Sequence, residues 1–243
     1  MSSVLLLGAN SDMAIAIARK YAKKGFEIIL AGRNREALLP LMEDIKIRYK
    51  VPAKTVMFDA LDFAGHKTFY QQLGVSPDIT ICVFGYLGNQ EKAVSDWSES
   101  EKIIQTNYTG AVSILNIIAQ DYAFHKQGVI VGISSVAGER GRQSNYMYGS
   151  AKAGFTAYLS GLRNRLYKYD VHVITVLPGF VNTKMTAELN LPPLLTASPQ
   201  QIADAVEKAV RKKRNIVYVK WFWKWIMIII KSIPENMFKK KNL

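Results

Sequence analysis

Short apolar runs alternate with helix-forming segments along this 243-residue chain, and the alternation constrains its fold more than any other feature. The runs are rich in Val, Ile and Leu, as strands buried on both faces are. The predicted strands are residues 3–7, 26–31, 54–58, 78–84, 128–133, 171–177 and 216–219. This pattern predicts an α/β fold, a doubly wound parallel sheet of seven strands with helices on both faces. A ligand crevice is then expected at the carboxyl ends of the strands.

Length and composition favour one cytoplasmic domain. A chain of 243 residues can bury one large core, so we expect residues 1–243 to form a single domain. The lone Cys82 excludes an internal disulfide. No metal is expected, because the histidines lack the spacing of metal ligands: His66, His125 and His172. The apolar run at 4–7 is too short for a secretory signal, which predicts a cytoplasmic location.

A glycine turn joins the first predicted strand to the first predicted helix. Such a turn can cradle a pyrophosphate, because backbone N–H groups and the helix dipole point at the anion. The candidate cofactor-binding residues of this turn are Gly8, Asn10, Ser11, Asp12 and Met13. Of the usual three glycines only Gly8 is kept, with Asp12 and Ala14 at the other two places. The Asp12 carboxylate would repel a pyrophosphate, so a plain turn with Ser11 or Asp12 as helix cap is the alternative.

Arginine, rather than an acid, follows the second predicted strand. In dinucleotide-binding folds an acid here holds the ribose 2′-hydroxyl, whereas an arginine accommodates a 2′-phosphate. Arg33 therefore predicts NADP(H), with Arg35 as a second candidate. NAD stays open as the cofactor if both arginines are solvated loop charges.

Tyr148 and Lys152 lie four residues apart on a predicted helix and project from the same helical face. A lysine ammonium beside a phenol oxygen favours the ionised phenol and eases proton transfer near neutral pH. Ser135 stands thirteen residues before Tyr148, just after the fifth predicted strand, so its hydroxyl can point at the tyrosine. Ser134 does not fit this spacing, and Tyr146 has no lysine four residues further on.

This constellation resembles the short-chain dehydrogenase/reductase family, over nearly the whole chain. The resemblance implies a Rossmann-like fold in which Ser135, Tyr148 and Lys152 reduce or form a carbonyl group with a nicotinamide cofactor. It also implies that Asn107 binds a water linking the lysine to solvent. We predict that Asn107 lies in one long helix, residues 98–124, opened by a capping box at Ser98. The further cofactor-binding residues that the resemblance implies are Asp59, Gly85, Tyr148, Lys152, Pro178, Gly179, Val181 and Thr183.

Three segments are similar to the reductases that complete decaprenylphosphoryl arabinose, which reduce a 2-keto pentose carried on a polyprenyl phosphate. They are GYLGNQ at 85–90, SSVAGERGRQSNYMYGSAK at 134–152 and LPGFVNTKMT at 177–186. This likeness implies a lipid-linked keto-sugar substrate, with Tyr86, Gln143 and Asn145 as candidate contacts. Two alternatives stay open, a reductase of 3-oxoacyl groups or other small ketones and a non-catalytic dinucleotide-binding scaffold. Family members usually form homo-oligomers, which we expect here too.

The net charge of +13 is concentrated near the C-terminus, where residues 211–243 carry ten Lys or Arg and one acid. Within the tail, residues 221–243, a predicted helix has lysines on one face and an apolar arc of Trp and Ile on the rest. Its apolar run is shorter than the ~20 residues of a transmembrane helix, so we predict an amphipathic helix at the inner membrane surface. The alternatives are a tail that completes the substrate site or a subunit interface. We expect no nucleic acid partner, because an apolar arc has no role on a phosphate backbone.

Overall fold

A computed structural model of the chain describes residues 1–187 and 190–241. Its strands are β1 (Ser3–Leu7), β2 (Glu27–Gly32), β3 (Ala53–Met57), β4 (Ile79–Cys82), β5 (Val129–Ile133), β6 (His172–Pro178), β7 (Phe180–Val181), β8 (Thr196–Ala197) and β9 (Ile216–Val219). Seven of them form one parallel sheet in the order β3-β2-β1-β4-β5-β6-β9, and β7 pairs with β8 separately. The predicted seven-stranded parallel sheet is therefore confirmed, with boundaries within two residues of those expected.

Helices cover both faces of this sheet, as predicted. They are α1 (Asp12–Ala22), α2 (Leu39–Tyr49), α3 (His66–Gln72), α4 (Gln90–Ser95), α5 (Trp97–Ile104), α6 (Gly110–His125), α7 (Tyr146–Leu166), α8 (Pro199–Arg211), α9 (Phe222–Ser232) and α10 (Glu235–Phe238). Helices α1, α2 and α8 pack on one face, and α3, α6 and α7 pack on the other. In β1, Val4 and Leu6 enter the first layer while Leu5 and Leu7 enter the second. The strand is apolar throughout because both its faces are buried.

The winding of the sheet reverses beside β1. This strand pairs with β2 on one side and with β4 on the other, which places a topological switch point at their carboxyl ends. Gly8 follows β1 with a φ of +91°, and a Cβ there would lie 2.7 Å from the backbone nitrogen of Phe84. Only glycine tolerates both the conformation and the close approach. The carboxyl ends of the neighbouring strands β1 and β4 therefore lie close together.

The segment predicted as one helix, residues 98–124, is interrupted. Asp96 caps α5, because its carboxylate accepts hydrogen bonds from the Ser98 backbone N–H at 2.9 Å and from the Ser98 hydroxyl at 2.6 Å. The predicted cap at Ser98 is therefore wrong, since a carboxylate near a helix N-terminus is the stronger acceptor and is favoured by the dipole. A π-helical turn, Gln105–Thr109, then separates α5 from α6 and contains Asn107. Such turns are frequent at functional sites.

The C-terminal part of the chain contains a loop and two short helices. The loop after β7 has two 3₁₀ turns, Lys184–Thr186 and Pro193–Leu195, and ends in β8. Residues 188–189 of this loop and 242–243 of the predicted tail lie outside the described residues. The tail forms α9 and α10. Within the described ranges, no helix has the length and apolar character needed to span a bilayer.

Candidate active site

Two adjoining cavities lie at the carboxyl ends of the strands. The larger has a volume of about 700 Å³ and the smaller about 460 Å³. Met13, Gly85 and Thr183 line both, so the cavities form one groove across the switch point between β1 and β4. A groove in this position suits an extended ligand.

The larger cavity brings Ser135, Tyr148 and Lys152 together. Ser135 follows β5 by two residues, while Tyr148 and Lys152 lie one turn apart on α7. The Ser135 hydroxyl lies close enough to the Tyr148 phenol to lower its pKa. The loop after Ser135 packs directly on α7, because a Cβ on Gly138 would lie 2.7 Å from the backbone nitrogen of Ala153. This close packing fixes the two hydroxyls beside each other.

Lys152 is buried beneath the cavity with an exposed fraction of 3%. Its Nζ donates a hydrogen bond to the Ile133 carbonyl oxygen at 3.1 Å. Burial lowers the pKa of Lys152 to about 8, and the nearby Cys82 opposes part of this change. The ammonium group therefore loses its proton far more readily than an exposed lysine does.

The pKa of Tyr148 changes in the direction opposite to the one predicted from its spacing to Lys152. Burial raises the pKa of Tyr148 to about 12, and the nearby Ser135 hydroxyl opposes part of the rise. Lys152 Nζ lies 5.8 Å from the centre of the Tyr148 ring and is bound to the Ile133 carbonyl, so desolvation outweighs its charge. The phenol keeps its proton at neutral pH.

Asn107 connects α5 to the chain that follows β4. Its Nδ2 donates to the carbonyl oxygens of Tyr86 at 2.6 Å and Ile103 at 2.8 Å, and its Oδ1 accepts from the Tyr86 N–H at 3.1 Å. A Cβ on Gly85 would lie 2.9 Å from Asn107 Oδ1 and 3.4 Å from Lys152 Nζ. The absence of a side chain at position 85 therefore lets Asn107 and Lys152 approach the same point.

The residues predicted to bind a dinucleotide line the two halves of the groove. The smaller cavity is lined by Gly8, Asn10, Ser11, Asp12, Met13, Arg33, Asp59 and Gly85, and the larger by Pro178, Gly179, Val181 and Thr183. Ser11 is the cap of α1, since its hydroxyl accepts from the Ala14 N–H at 3.2 Å. The Asp12 carboxylate instead accepts from the Lys184 N–H at 2.8 Å. Asp12 thus joins the glycine turn to the segment after β7.

The two arginines after β2 differ in their surroundings. Arg35 donates through Nε to the Thr55 hydroxyl on β3 at 3.1 Å and so belongs to the sheet edge. Arg33 is exposed and lines the smaller cavity. Among the residues that the structure describes, Arg33 has no hydrogen-bond or ion-pair partner. Its guanidinium is therefore available to an anionic ligand.

The three predicted substrate contacts lie in different places. Asn145 lines the larger cavity. Tyr86 lines the smaller cavity, where its hydroxyl donates a hydrogen bond to the Glu99 carboxylate at 2.9 Å. Gln143 is exposed and does not line either cavity. Only Asn145 of the three is therefore brought into the cavity that holds Ser135 and Tyr148.

Sequence reasoning missed several residues of the larger cavity, among them Gln90, Arg142 and Trp223. Gln90 begins α4, and its Oε1 accepts from the Met147 N–H at 3.0 Å. Three buried polar atoms of the cavity residues have no hydrogen-bond partner in the described chain: Gln90 Nε2, Arg142 Nε and Asn145 Oδ1. Gln90 and Arg142 could have been predicted as cavity residues from their positions in the segments that follow β4 and β5, since such segments line the crevice of a parallel sheet.

Helix α9 supplies one wall of the larger cavity. Trp223 is 4% exposed, and its Nε1 donates to the Leu195 carbonyl at 3.1 Å. The ring lies against Gly179, where a Cβ would be 2.0 Å from the indole. The buried side of the tail thus completes the cavity, which was one of the alternatives for this segment.

Arg140 holds the tail to the loop that follows Ser135. Its Nη1 donates to the carbonyl oxygens of Ile230 and Ile233, each at 2.7 Å. The guanidinium also lies 3.7 Å from the centre of the Phe238 ring. The end of α9 and the loop after β5 are therefore fixed to each other.

Comparison with known proteins agrees with this architecture. Residues 2–193 match the family model described as short chain dehydrogenase. An uncharacterized oxidoreductase of Mycobacterium tuberculosis is 30% identical over 240 residues, or 98% of this chain and 96% of the relative. The ketoacyl reductase HetN of Nostoc is 29% identical over 224 residues, or 89% of this chain and 78% of the relative.

A solved structure shares the fold at low identity. The short-chain dehydrogenase from Sphingobium yanoikuyae in complex with NADPH has a TM-score of 0.84 and 19% identity, covering 99% of this chain and 96% of that one. At this identity the likeness establishes the fold, while the family model and the mycobacterial relative establish the family. The chain therefore belongs to the short-chain dehydrogenase/reductase family of oxidoreductases.

Proposed function

We propose that this protein is an NADPH-dependent carbonyl reductase. The observation that carries the proposal is that Ser135 and Tyr148 line the same cavity, with the Ser135 hydroxyl near the phenol and Lys152 buried one helical turn away. A phenol with a pKa of about 12 holds its proton at neutral pH and suits the role of proton donor, which the reductive direction requires. A non-catalytic scaffold gives no reason to bury a lysine whose pKa is lowered to about 8.

Each catalytic side chain has its own role in this proposal. Ser135 donates a hydrogen bond to the carbonyl oxygen of the substrate, and Tyr148 transfers its proton to that oxygen. Lys152, when protonated, stabilises the phenolate that remains on Tyr148. Asn107 keeps the chain after β4 in place beside Lys152 and supports the return of a proton from solvent.

The groove fits a dinucleotide that carries a 2′-phosphate. The N-terminus of α1 lines the smaller cavity, where backbone N–H groups and the helix dipole favour a pyrophosphate. The unpartnered Arg33 at the rim suits the additional phosphate. When bound, NADPH supplies the hydride, and NAD(H) is the alternative cofactor.

The cofactor preference is tested with Arg33→Ser, using the neighbouring Arg35→Ser as a matched control for charge. We expect Arg33→Ser to raise the KM for NADPH at least about tenfold, the effect of losing a charge-assisted contact to phosphate, and to leave the KM for NADH unchanged. A wild-type preference for NADH would contradict the assignment.

The substrate that we propose is a lipid-linked keto sugar. The unpartnered atoms Gln90 Nε2 and Asn145 Oδ1 in the cavity wall support a hydroxylated substrate, because its hydroxyl groups can satisfy both. Leu191 and Trp223 add apolar surface to the same cavity. A 3-oxoacyl or other small ketone is the second candidate, since a relative is a ketoacyl reductase.

The experiment follows NADPH oxidation with keto sugars, their polyprenyl phosphates and 3-oxoacyl thioesters. Tyr148→Phe should reduce turnover about 10²–10⁴-fold, the typical contribution of a positioned proton donor. Tyr146→Phe is the matched control, because Tyr146 lies two residues earlier on α7 and is 43% exposed. Unchanged turnover in Tyr148→Phe would contradict the mechanism. If the enzyme reduced only the 3-oxoacyl thioesters, the proposal of a keto-sugar substrate would be wrong and the 3-oxoacyl group would take its place.

We also propose that the outer face of α9 binds the surface of an anionic bilayer. Trp225 and Ile229 on this face are 57% and 65% exposed, and Trp221, directly before the helix, is 73% exposed. Lys224 is exposed beside them, and exposed aromatic side chains next to a cation are the arrangement of interfacial helices on anionic lipid. This contact would bring a lipid-linked substrate to the cavity wall formed by the inner face of the same helix.

Sedimentation with vesicles tests this contact. Trp225→Ser should weaken binding to vesicles that contain anionic lipid, while Phe124→Ser, which removes an 82%-exposed aromatic from α6, should not. Family members are usually homo-oligomers, so the mass in solution is measured in parallel. If the protein forms an oligomer in the absence of lipid, and Trp225→Ser dissociates this oligomer, the outer face of α9 is a subunit interface instead.

A further inference from the structure

Arg142 is an arginine without an acidic partner in the wall of the larger cavity. It follows Ser135 by seven residues, in the loop between β5 and α7. Its Nη2 contacts Met227 Sδ at 3.3 Å, and a thioether is only a weak acceptor. Its Nε is buried and has no hydrogen-bond partner among the described residues. The guanidinium thus retains unused hydrogen-bonding capacity at the cavity.

The two other charged residues of this loop, Glu139 and Arg140, form ion pairs with residues of the tail. Glu139 accepts from the Tyr218 hydroxyl at 2.8 Å and pairs with Lys231 at 3.0 Å, both through Oε1, while its Oε2 is buried and has no hydrogen-bond partner among the described residues. Arg140 pairs with Glu235 at 2.9 Å in addition to its contacts with α9. Burial lowers the pKa of Arg142, and the charge of Glu139 only partly opposes this. Of the two arginines in this loop, Arg140 fixes the tail while Arg142 remains available to a ligand.

An arginine in this situation fits a ligand that carries an anion. An unsatisfied buried N–H and a partly dehydrated guanidinium both destabilise the free protein, and an oxyanion relieves both at once. The planar guanidinium matches phosphate oxygens through two parallel hydrogen bonds. A neutral ketone would leave Arg142 with only the nearby charge of Glu139 and without an ion-pair partner among the described residues.

We propose that Arg142 determines specificity for a ketone that carries a phosphate ester close to its carbonyl carbon. The inference rests on the proposed function, because Arg142 lines the cavity in which Ser135 and Tyr148 would hold the carbonyl oxygen. The phosphate binds Arg142 on one side of the carbonyl, while the substrate's hydroxyl groups bind Asn145 and Gln90. Arg142 is therefore a specificity residue that takes no part in the transfer of the proton.

The test compares two ketones that differ only in a phosphate, dihydroxyacetone phosphate and dihydroxyacetone, with NADPH as reductant. We expect the wild type to have a kcat/KM at least about tenfold higher for the phosphate ester, and Arg142→Met to remove this ratio by lowering only the value for the ester. Arg142→Lys should retain part of the ratio because it keeps the charge. The matched control is Lys208→Met, which removes one charge from the exposed side of α8.

A binding measurement separates this inference from the reaction itself. Trp223 lines the same cavity, so its fluorescence should respond to dihydroxyacetone phosphate. In a Tyr148→Phe background the ester should still bind, and adding Arg142→Met should weaken binding about tenfold or more. Binding that depends on Arg142 without any ketone reduction would overturn the reductase proposal and retain the anion site. The role of Arg142 would be overturned if Arg142→Met left both the kcat/KM ratio of the two ketones and the binding of dihydroxyacetone phosphate unchanged. A variant in which only the KM for NADPH rises would also overturn it.

Discussion

Replacing Lys152 with methionine should stabilise the protein and abolish its activity. Lys152 is 3% exposed, and burial lowers its pKa from 10.5 to about 8. When the folded pKa of a lysine lies below its unfolded pKa, the unfolded chain binds the proton more readily, so the folded state loses stability as the pH falls between the two values. Methionine is similarly unbranched and has no charge to desolvate.

The magnitude follows from the two pKa values of Lys152. Their difference of about 2.5 corresponds to roughly 3 kcal/mol well below pH 8. The hydrogen bond from Nζ to the Ile133 carbonyl offsets about 1–1.5 kcal/mol of this. Near neutral pH the variant should therefore be more stable by roughly 2 kcal/mol. At about pH 9.5 the folded lysine is already neutral and the remaining penalty is roughly 1 kcal/mol. The hydrogen bond offsets this amount, so the two proteins should have nearly equal stability.

Urea unfolding at the two pH values measures this difference, with Lys208→Met as the control for loss of an exposed charge. The free energy of unfolding of Lys152→Met should exceed that of the wild type near pH 7 and converge with it as the pH rises. Equal destabilisation of Lys152→Met at both pH values would refute the reasoning. It would mean that Lys152 stays charged in the fold and that its contacts outweigh its desolvation.

Two further predictions concern the tail. Gly179→Ala places a Cβ 2.0 Å from the Trp223 indole and should lower the free energy of unfolding by about 1–3 kcal/mol. Thermal unfolding measures this loss. If the clash is the cause, combining Gly179→Ala with Trp223→Leu should recover part of the lost stability. Arg140→Met removes the hydrogen bonds to the Ile230 and Ile233 carbonyl oxygens. Limited proteolysis should therefore cleave α9 and α10 from the rest of the protein faster than in the wild type. The control variant Arg33→Met should leave the rate of cleavage unchanged.

The central sheet and the main cavity residues were predictable because they follow from local patterns. A parallel strand buried on both faces is a continuous apolar run, and β1 followed by Gly8 is such a case. The carboxyl ends of parallel strands meet at one edge, so residues after β5 and at the start of α7 had to lie near the glycine turn. Ser135 and Tyr148 were placed by this rule and by helical spacing.

The features that escaped prediction depend on contacts between distant segments. The π-helical turn around Asn107 coincides with its bonds to Tyr86, far away in sequence. The pKa of Tyr148 rises because desolvation, which spacing does not report, exceeds the effect of Lys152. In α9 almost every residue is apolar, so periodicity alone could not show that Trp223 points inward while Trp225 points outward.

The wall formed by α9 has a consequence for when the protein becomes active during its synthesis. A chain leaves the ribosome from its N-terminus, and its segments fold as they emerge. Ser135, Tyr148 and Lys152 emerge long before Trp223, and until α9 follows them Arg140 lacks the carbonyl groups that hold its loop. A nascent chain can therefore gather its reactive side chains while the cavity is still open on one side. We expect catalytic competence to arrive only after α9 has been translated.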